Sequence, residues 1–126
     1  MAVGLAAATA NSILNVYRNT AYAAITNVFV KLHIGDPGAA GTANASAVTT
    51  RNEVTWNAPS GGSMTLNTLA GYSMTASETI SHVSFWTASS GGTFLQSAAL
   101  SASQAVINGS TLNFTTVTLA YTPIAA

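Results

Sequence analysis

Residues 79 to 100, TISHVSFWTASSGGTFLQSAAL, narrow the fold more than any other stretch. Two runs of strand-like character, 79–88 and 92–100, flank the punctuation SSGG at 89–92. In the first run Ile80, Val83 and Phe85 are set against Ser81, Ser84 and Thr87, with one slip near His82. Side chains in a strand alternate between faces at every residue. Glycines between two such runs supply the positive φ that a tight hairpin needs. An antiparallel hairpin is predicted here, and the rest of the chain has to be built around it.

The remaining segments repeat the theme. VFVKLHI (28–34) alternates, with Val28, Val30, Leu32 and Ile34 on one side and Phe29, Lys31 and His33 on the other. NEVTW (52–56) is a short strand candidate, and SMTLNTLAGYSM (63–74) a weaker one in which Gly71 predicts a bend or bulge. AVI (105–107) and STLNFTTVTLAY (110–121) complete the set, with NG at 108–109 predicting a second hairpin. Before them, residues 3 to about 24 are alanine-rich and free of proline, with Ile13, Tyr17 and Ala21 on one helical face and Leu14 and Val16 beside it. Such a helix either caps the protein's own sheet or acts as an arm on a neighbour. The predicted fold is mainly β: an antiparallel sandwich or barrel-like module (27–126) after one N-terminal helix or arm (1–26), in a single domain over 1–126.

Charge excludes more functions than any motif suggests. Of 126 residues only 5% are charged, against roughly 25% in an ordinary soluble domain. Arg18, Lys31 and Arg51 balance Asp36, Glu53 and Glu78. Three scattered cations cannot neutralise a run of phosphates, so no nucleic-acid partner is expected. Docking on an anionic membrane fails for the same reason, and no apolar run approaches the ~20 residues that span a bilayer. With no cysteine, disulfides and thiolate metal sites are excluded. MAVGLAAATA lacks the positive n-region of a signal peptide, so the start is read as part of the mature fold. So little charge gives a lone monomer poor protection against association. Much of the surface is therefore expected under other subunits, unless abundant Ser, Thr and Asn keep a monomer soluble.

Catalytic groups are as scarce as charges. His33 and His82 are the only imidazoles, and no G-x-S-x-G elbow accompanies the many serines. His33 and Asp36 lie across a turn rather than in a cleft. Asp36, Glu53 and Glu78 would have to converge from separate segments to act on a glycosidic bond. His33, Asp36 and His82 make only a weak metal pattern. NAS (44–46), NGS (108–110) and NFT (113–115) match the glycosylation sequon but arise easily in so Asn- and Ser-rich a chain. No catalytic, cofactor or metal site is assigned, and the protein is expected not to be an enzyme.

The stretch KLHIGDPGAAGTAN (31–44) gathers a cation, a histidine and a carboxylate at one turn. Pro37 fixes φ at the first corner, Gly38 admits positive φ at the next, and Asp36 can accept amide hydrogens from the turn. Arg51, where the loop should rejoin the sheet, is expected to clamp that carboxylate. Asp36, Pro37, Gly38 and Arg51 thus form a predicted structural clasp. Leu5, Ile13, Leu14, Tyr17, Trp56 and Trp86 are candidate core or interface anchors.

LHIGDPGAAGTAN (32–44) with Arg51 and VTW (54–56), then ETISHVSFW (78–86), then GGTFLQSAAL (91–100), resembles a family of small phage virion proteins. These are labelled tail-fibre-like or minor tail proteins and are frequent in phages of actinobacteria. The resemblance covers roughly residues 28 to 114. Its matched residues are Leu32, His33, Gly35, Asp36, Pro37, Gly38, Arg51, Trp56, His82, Trp86, Gly91 and Gly92. The family tends to threonine where this chain has Ile34, and to proline where it has Ala45.

The resemblance implies a non-enzymatic, multi-copy structural protein of a phage virion, made in the host cytoplasm and tail-associated, as a minor tail, fibre or tip component. Its partners would be itself, as a homo-oligomer such as a trimer or hexamer, and other virion proteins. A capsid decoration protein, binding the outside of the major shell, is the first alternative. A carbohydrate-binding module for a host-surface glycan is the second, with Tyr22, Tyr72 or Trp86 stacking on sugar.

Overall fold

The computed structural model describes residues 3–120. One helix, α1 (Ala7–Val16), precedes eight strands: β1 (Val28–His33), β2 (Asn52–Trp56), β3 (Ser63–Leu69), β4 (Tyr72–Ser73), β5 (Glu78–Trp86), β6 (Phe94–Val106), β7 (Thr111–Leu112) and β8 (Thr118–Ala120). Six of them form one antiparallel sheet in the order β6-β5-β1-β2-β3-β8, and β4 pairs with β7 in a second, small sheet. The large sheet curls into a half-barrel. Register shifts mark where the ladder bends: Thr55/Trp56 on β2, and Ile80/His82 and Phe85/Trp86 on β5. The 79–100 hairpin is the β5–β6 pair, turned by Gly91 and Gly92 at φ 63° and 72°. Between the edge strands β6 and β8 an open cleft of about 490 Å³ remains, lined by Leu69, Leu100, Phe114, Val117 and Leu119 among others.

Register explains the core. Val30 pairs with Phe85 and Leu32 with Val83, so these four side chains share one face of the sheet. They are buried together with Val54, Tyr72, Met74, Ile80, Val106 and Leu112. The β4–β7 ladder sets Tyr72 opposite Leu112 over this core. Tyr72 is fixed there twice: its hydroxyl donates to the Val30 carbonyl (2.6 Å), and its ring meets Phe114 edge-on with centroids 6.2 Å apart. Burial raises its phenol pKa well above the usual value.

Three expectations are corrected. The helix ends at Val16 rather than near residue 24. Asn19 takes φ 60° and the Thr20 amide bonds back to the Asn15 carbonyl, a left-handed stop that an apolar periodicity does not show. The NG turn at 108–109 joins β6 to β7, but these strands do not pair, because β7 goes to β4. The turn instead docks on Met74: the Gly109 amide donates to the Met74 carbonyl, and the Met74 amide to the Ser110 carbonyl. The segments 92–100 and 105–107 are one long strand, β6, and 110–121 is broken into β7 and β8, with Tyr121 outside the described residues. Among the described residues no helix is long and apolar enough to cross a membrane.

Candidate functional site

The charged turn lies on the other face of the sheet. Alternation along β1 and β5 puts His33 and Lys31 on that face with Ser84 and Trp86, since Lys31 pairs with Ser84 and His33 with His82. A loop from 34 to 46 folds back beside the end of β1. There the Ile34 amide donates to the Asn44 carbonyl (2.9 Å) and the Ser46 amide to the Leu32 carbonyl (3.1 Å). His33 is thereby enclosed at 0% exposure, as is Ser84.

The protons in this pocket are determined by their partners. His33 Nδ1 lies 2.8 Å from the Ala43 carbonyl oxygen, which can only accept, so Nδ1 carries the proton. In the neutral ring that burial favours, Nε2 is then bare and accepts from the Ser84 hydroxyl at 2.7 Å. Ser84 Oγ in turn accepts from Trp86 Nε1–H at 2.8 Å. A chain of three directed hydrogen bonds runs from the indole to the loop carbonyl, with each donor used once. A serine hydroxyl donating to an oriented histidine has the outline of an activated nucleophile. Here both groups are sealed from solvent, and the third partner is a loop carbonyl that the pair holds in place. The chain of bonds ties the loop to the sheet.

Burial lowers the His33 pKa below its ordinary 6.5, helped by the charge on Lys31 and by His82, while the contacts from Ala43 and Asn44 pull the other way. Lys31 is itself lowered by desolvation and by Arg51.

Asp36 makes the local turn and nothing wider. Its Oδ1 accepts the Gly38 amide (2.8 Å), with Gly38 at φ 74°. Asn44 Nδ2 donates to the Asp36 backbone carbonyl and the Ala43 amide to that of Pro37, closing the loop on itself. Pro37 is fully buried. Asp36 Oδ2 is buried without a partner.

Arg51 does not reach Asp36, and the expected clamp between them is corrected. Its Nη1 donates to the carbonyls of Ala88 (3.0 Å) and Gly91 (2.7 Å), and its guanidinium sits 4.0 Å from the centre of the Trp86 ring. A planar guanidinium can stack and donate at once, which makes it a better strut here than lysine. Arg51 thus braces the β5–β6 turn rather than the 34–46 loop. The two meet through aromatic packing instead. Trp86 lies 5.4 Å from Phe94, and the Phe94 ring is so close to Gly41 that a Cβ there would fall 2.5 Å from it.

The other carboxylates are engaged separately. Glu78 accepts from the Ser46 hydroxyl and the Ala47 amide, and Glu53 accepts from Asn27 Nδ2 at 2.6 Å. Among the described residues no group of three or more His, Cys, Asp or Glu side chains is placed to hold a metal ion.

The anchors divide by element. Trp86 is buried at 7%, and Trp56 is half-buried with its ring 6.3 Å from Phe85. Tyr72 and Trp86 are thus withdrawn from any sugar, and Tyr22 is half-buried. On the N-terminal side Leu5 bridges to Gln96, Ile13 is half-buried, Leu14 is 61% exposed and Tyr17 88%.

A family model matches residues 4–122, the podophage GP4 fiber I protein gp80. The chain belongs to this phage fibre family. The match takes in α1 as well as the whole described sheet. No curated protein matches the chain. Membership gives this chain a tail-associated, virion structural role in general terms.

Two measurements test the clasp. Because Asp36 and Arg51 serve different turns, Asp36→Ala and Arg51→Ala should each cost about 1–2 kcal/mol in urea unfolding. Their effects should add to within about 0.5 kcal/mol in the double mutant. A coupling as large as that of a charged pair would restore the direct clamp. Since the folded state resists protonating His33, the unfolded chain binds that proton first as pH falls through 6.5. Its contribution to stability is complete above 6.5 and is lost progressively below it. The urea midpoint should fall through that window in the native protein, and His33→Gln should remove that part of the slope.

Proposed function

We propose that this chain is a non-enzymatic structural component of a phage tail, present in many copies and held in the particle by packing. The observation that carries this reading is the fibre-family match over nearly the whole chain. The use of the titratable groups supports it. His33 is spent on the Ala43 carbonyl, Asp36 on its own turn, Glu78 on the 46–47 backbone and side chain, and Glu53 on Asn27. His33, Glu78 and Glu53 each tie one segment of chain to another and Asp36 stiffens its own turn, as a scaffold requires. With zero net formal charge, copies of the chain can pack closely without mutual repulsion. In an assembly, modest contacts repeated between copies multiply into firm attachment.

The tail assignment is tested on purified particles. Quantitative mass spectrometry should give the protein in stoichiometry with tail components, and antibody labelling should decorate the tail in electron micrographs. Copies in proportion to the major shell protein, with label over the capsid, would contradict it in favour of a decoration protein.

A further inference from the structure

Helix α1 has more apolar surface than its own sheet uses. Its inward side is set by Ala6, whose amide donates to the Leu95 carbonyl (2.8 Å), by buried Thr9 and by half-buried Ile13. A second stripe, Ala7, Ala10, Leu14 and Tyr17, follows the 3-4-3 spacing of a helix seam. At 100° per residue its centre lies roughly 90° around the helix from the inward side. Leu14 is 61% and Tyr17 88% exposed, and Tyr17 keeps helical backbone angles at φ −68° and ψ −18°. The helix is also weakly made. It has ten residues, no capping side chain, no acid in its first turn and no base in its last. Such a length is marginal in water unless packing supports it.

We infer that this outer stripe docks against the same stripe of a second copy of the chain, the two helices antiparallel about a twofold axis. The inference rests on the reading of the protein as a multi-copy component. The residues themselves argue for this partner. A twofold through the helix centre places Ala7 opposite Tyr17 and Ala10 opposite Leu14, since both pairs are symmetric about position 12. Each bulky side chain then meets a small one, and the contact is self-complementary. A parallel pair would set tyrosine on tyrosine and alanine on alanine.

Charge points the same way. Residues 1–17 carry no charged side chain, and Arg18 is the first. Side by side, two Arg18 residues would repel. Antiparallel, they are separated by about 18 Å of helix, beyond the ~8 Å screening length of physiological salt. The opposed helix dipoles add a small gain. Val3 and Leu5, each 38% exposed, and Ile25, 40% exposed, are further apolar surface on the N-terminal segments. Even so, a ten-residue helix pair covers less than the ~1,200 Å² typical of a free-standing complex. The contact therefore works by repetition within an assembly. A twofold contact exists in a hexamer of dihedral symmetry and does not exist in a cyclic trimer.

The absence of cysteine makes crosslinking a clean test. Ala7→Cys and Tyr17→Cys chains, each otherwise native and full-length, are mixed under mild oxidation. The expected product is the mixed Ala7→Cys/Tyr17→Cys disulfide, several-fold above either homodimer. In the proposed pair two Tyr17→Cys sites lie about 15 Å apart along the axis, too far for the ~7 Å Cα limit of a disulfide. A dominant Tyr17→Cys homodimer, or no crosslink in any mixture of chains with native circular dichroism, overturns the proposal. Should either variant misfold, Ala10→Cys mixed with Leu14→Cys reads the same register. The crosslink does not report where the protein sits in the particle, so its failure is distinct from failure of the tail assignment.

Discussion

One buried imidazole ties the 34–46 loop to the sheet beneath it. His33 sits at the end of β1 and presents a proton to the Ala43 carbonyl and a lone pair to the Ser84 hydroxyl. Alanine and glycine lining a long loop give it little hydrophobic reason to lie on the sheet. The buried histidine supplies that reason by satisfying a carbonyl that would otherwise be left unpaired away from water, at a cost of about 1–3 kcal/mol. A neutral side chain with one donor and one acceptor at fixed angles can bridge strand and loop without carrying a charge into the interior.

From this bond the packing spreads outward. Ser84 Oγ accepts a hydrogen bond from the indole N–H of Trp86, which fixes the ring. The ring then gives Phe94 a wall and Arg51 a platform. Arg51 uses that platform to brace the β5–β6 turn through Ala88 and Gly91. The loop returns to the same place from above, with Gly41 against Phe94. Loop, turn and sheet face thus meet at Trp86 and Phe94, each held by its own hydrogen bonds. The opposite face is an ordinary apolar core under the Tyr72–Leu112 ladder. The two faces together explain why four successive residues of β5, Val83–Trp86, are all buried.

Strand positions were legible in the sequence because period-two alternation survives wherever one face is apolar. β1, β2 and the β5–β6 hairpin fall where that pattern puts them. What could not be read was long-range pairing. NG at 108–109 promises a hairpin on local grounds, yet β7 joins β4, a partner some forty residues earlier, and local turn chemistry carries no information about that choice. Helix length failed for a related reason: the left-handed Asn19 ends α1 while the apolar spacing runs on. At the clasp, Asp36, Pro37 and Gly38 were recognisable as a turn from residue type alone. Ser84 looked like solvent-facing polar alternation, because the sequence does not show that a loop covers that face. Arg51 was given the wrong partner because the return of the loop to the sheet was expected to bring it to Asp36, whereas its nearest acceptors in space are two hairpin carbonyls. Two backbone carbonyls held by the hairpin outcompete a carboxylate already turned toward its own amide.

In this member of a fibre family His33, Asp36, Arg51, Glu53 and Glu78 each hold a stretch of backbone or a side chain in place. The account therefore depends most on the state of His33. Nitrogen-15 imidazole spectroscopy of the folded protein reads that state directly. The prediction is a neutral ring with the proton on Nδ1 and a bare Nε2, persisting as pH is lowered past 6.5. A ring protonated on Nε2, or one that titrates as freely as an exposed histidine, would contradict it.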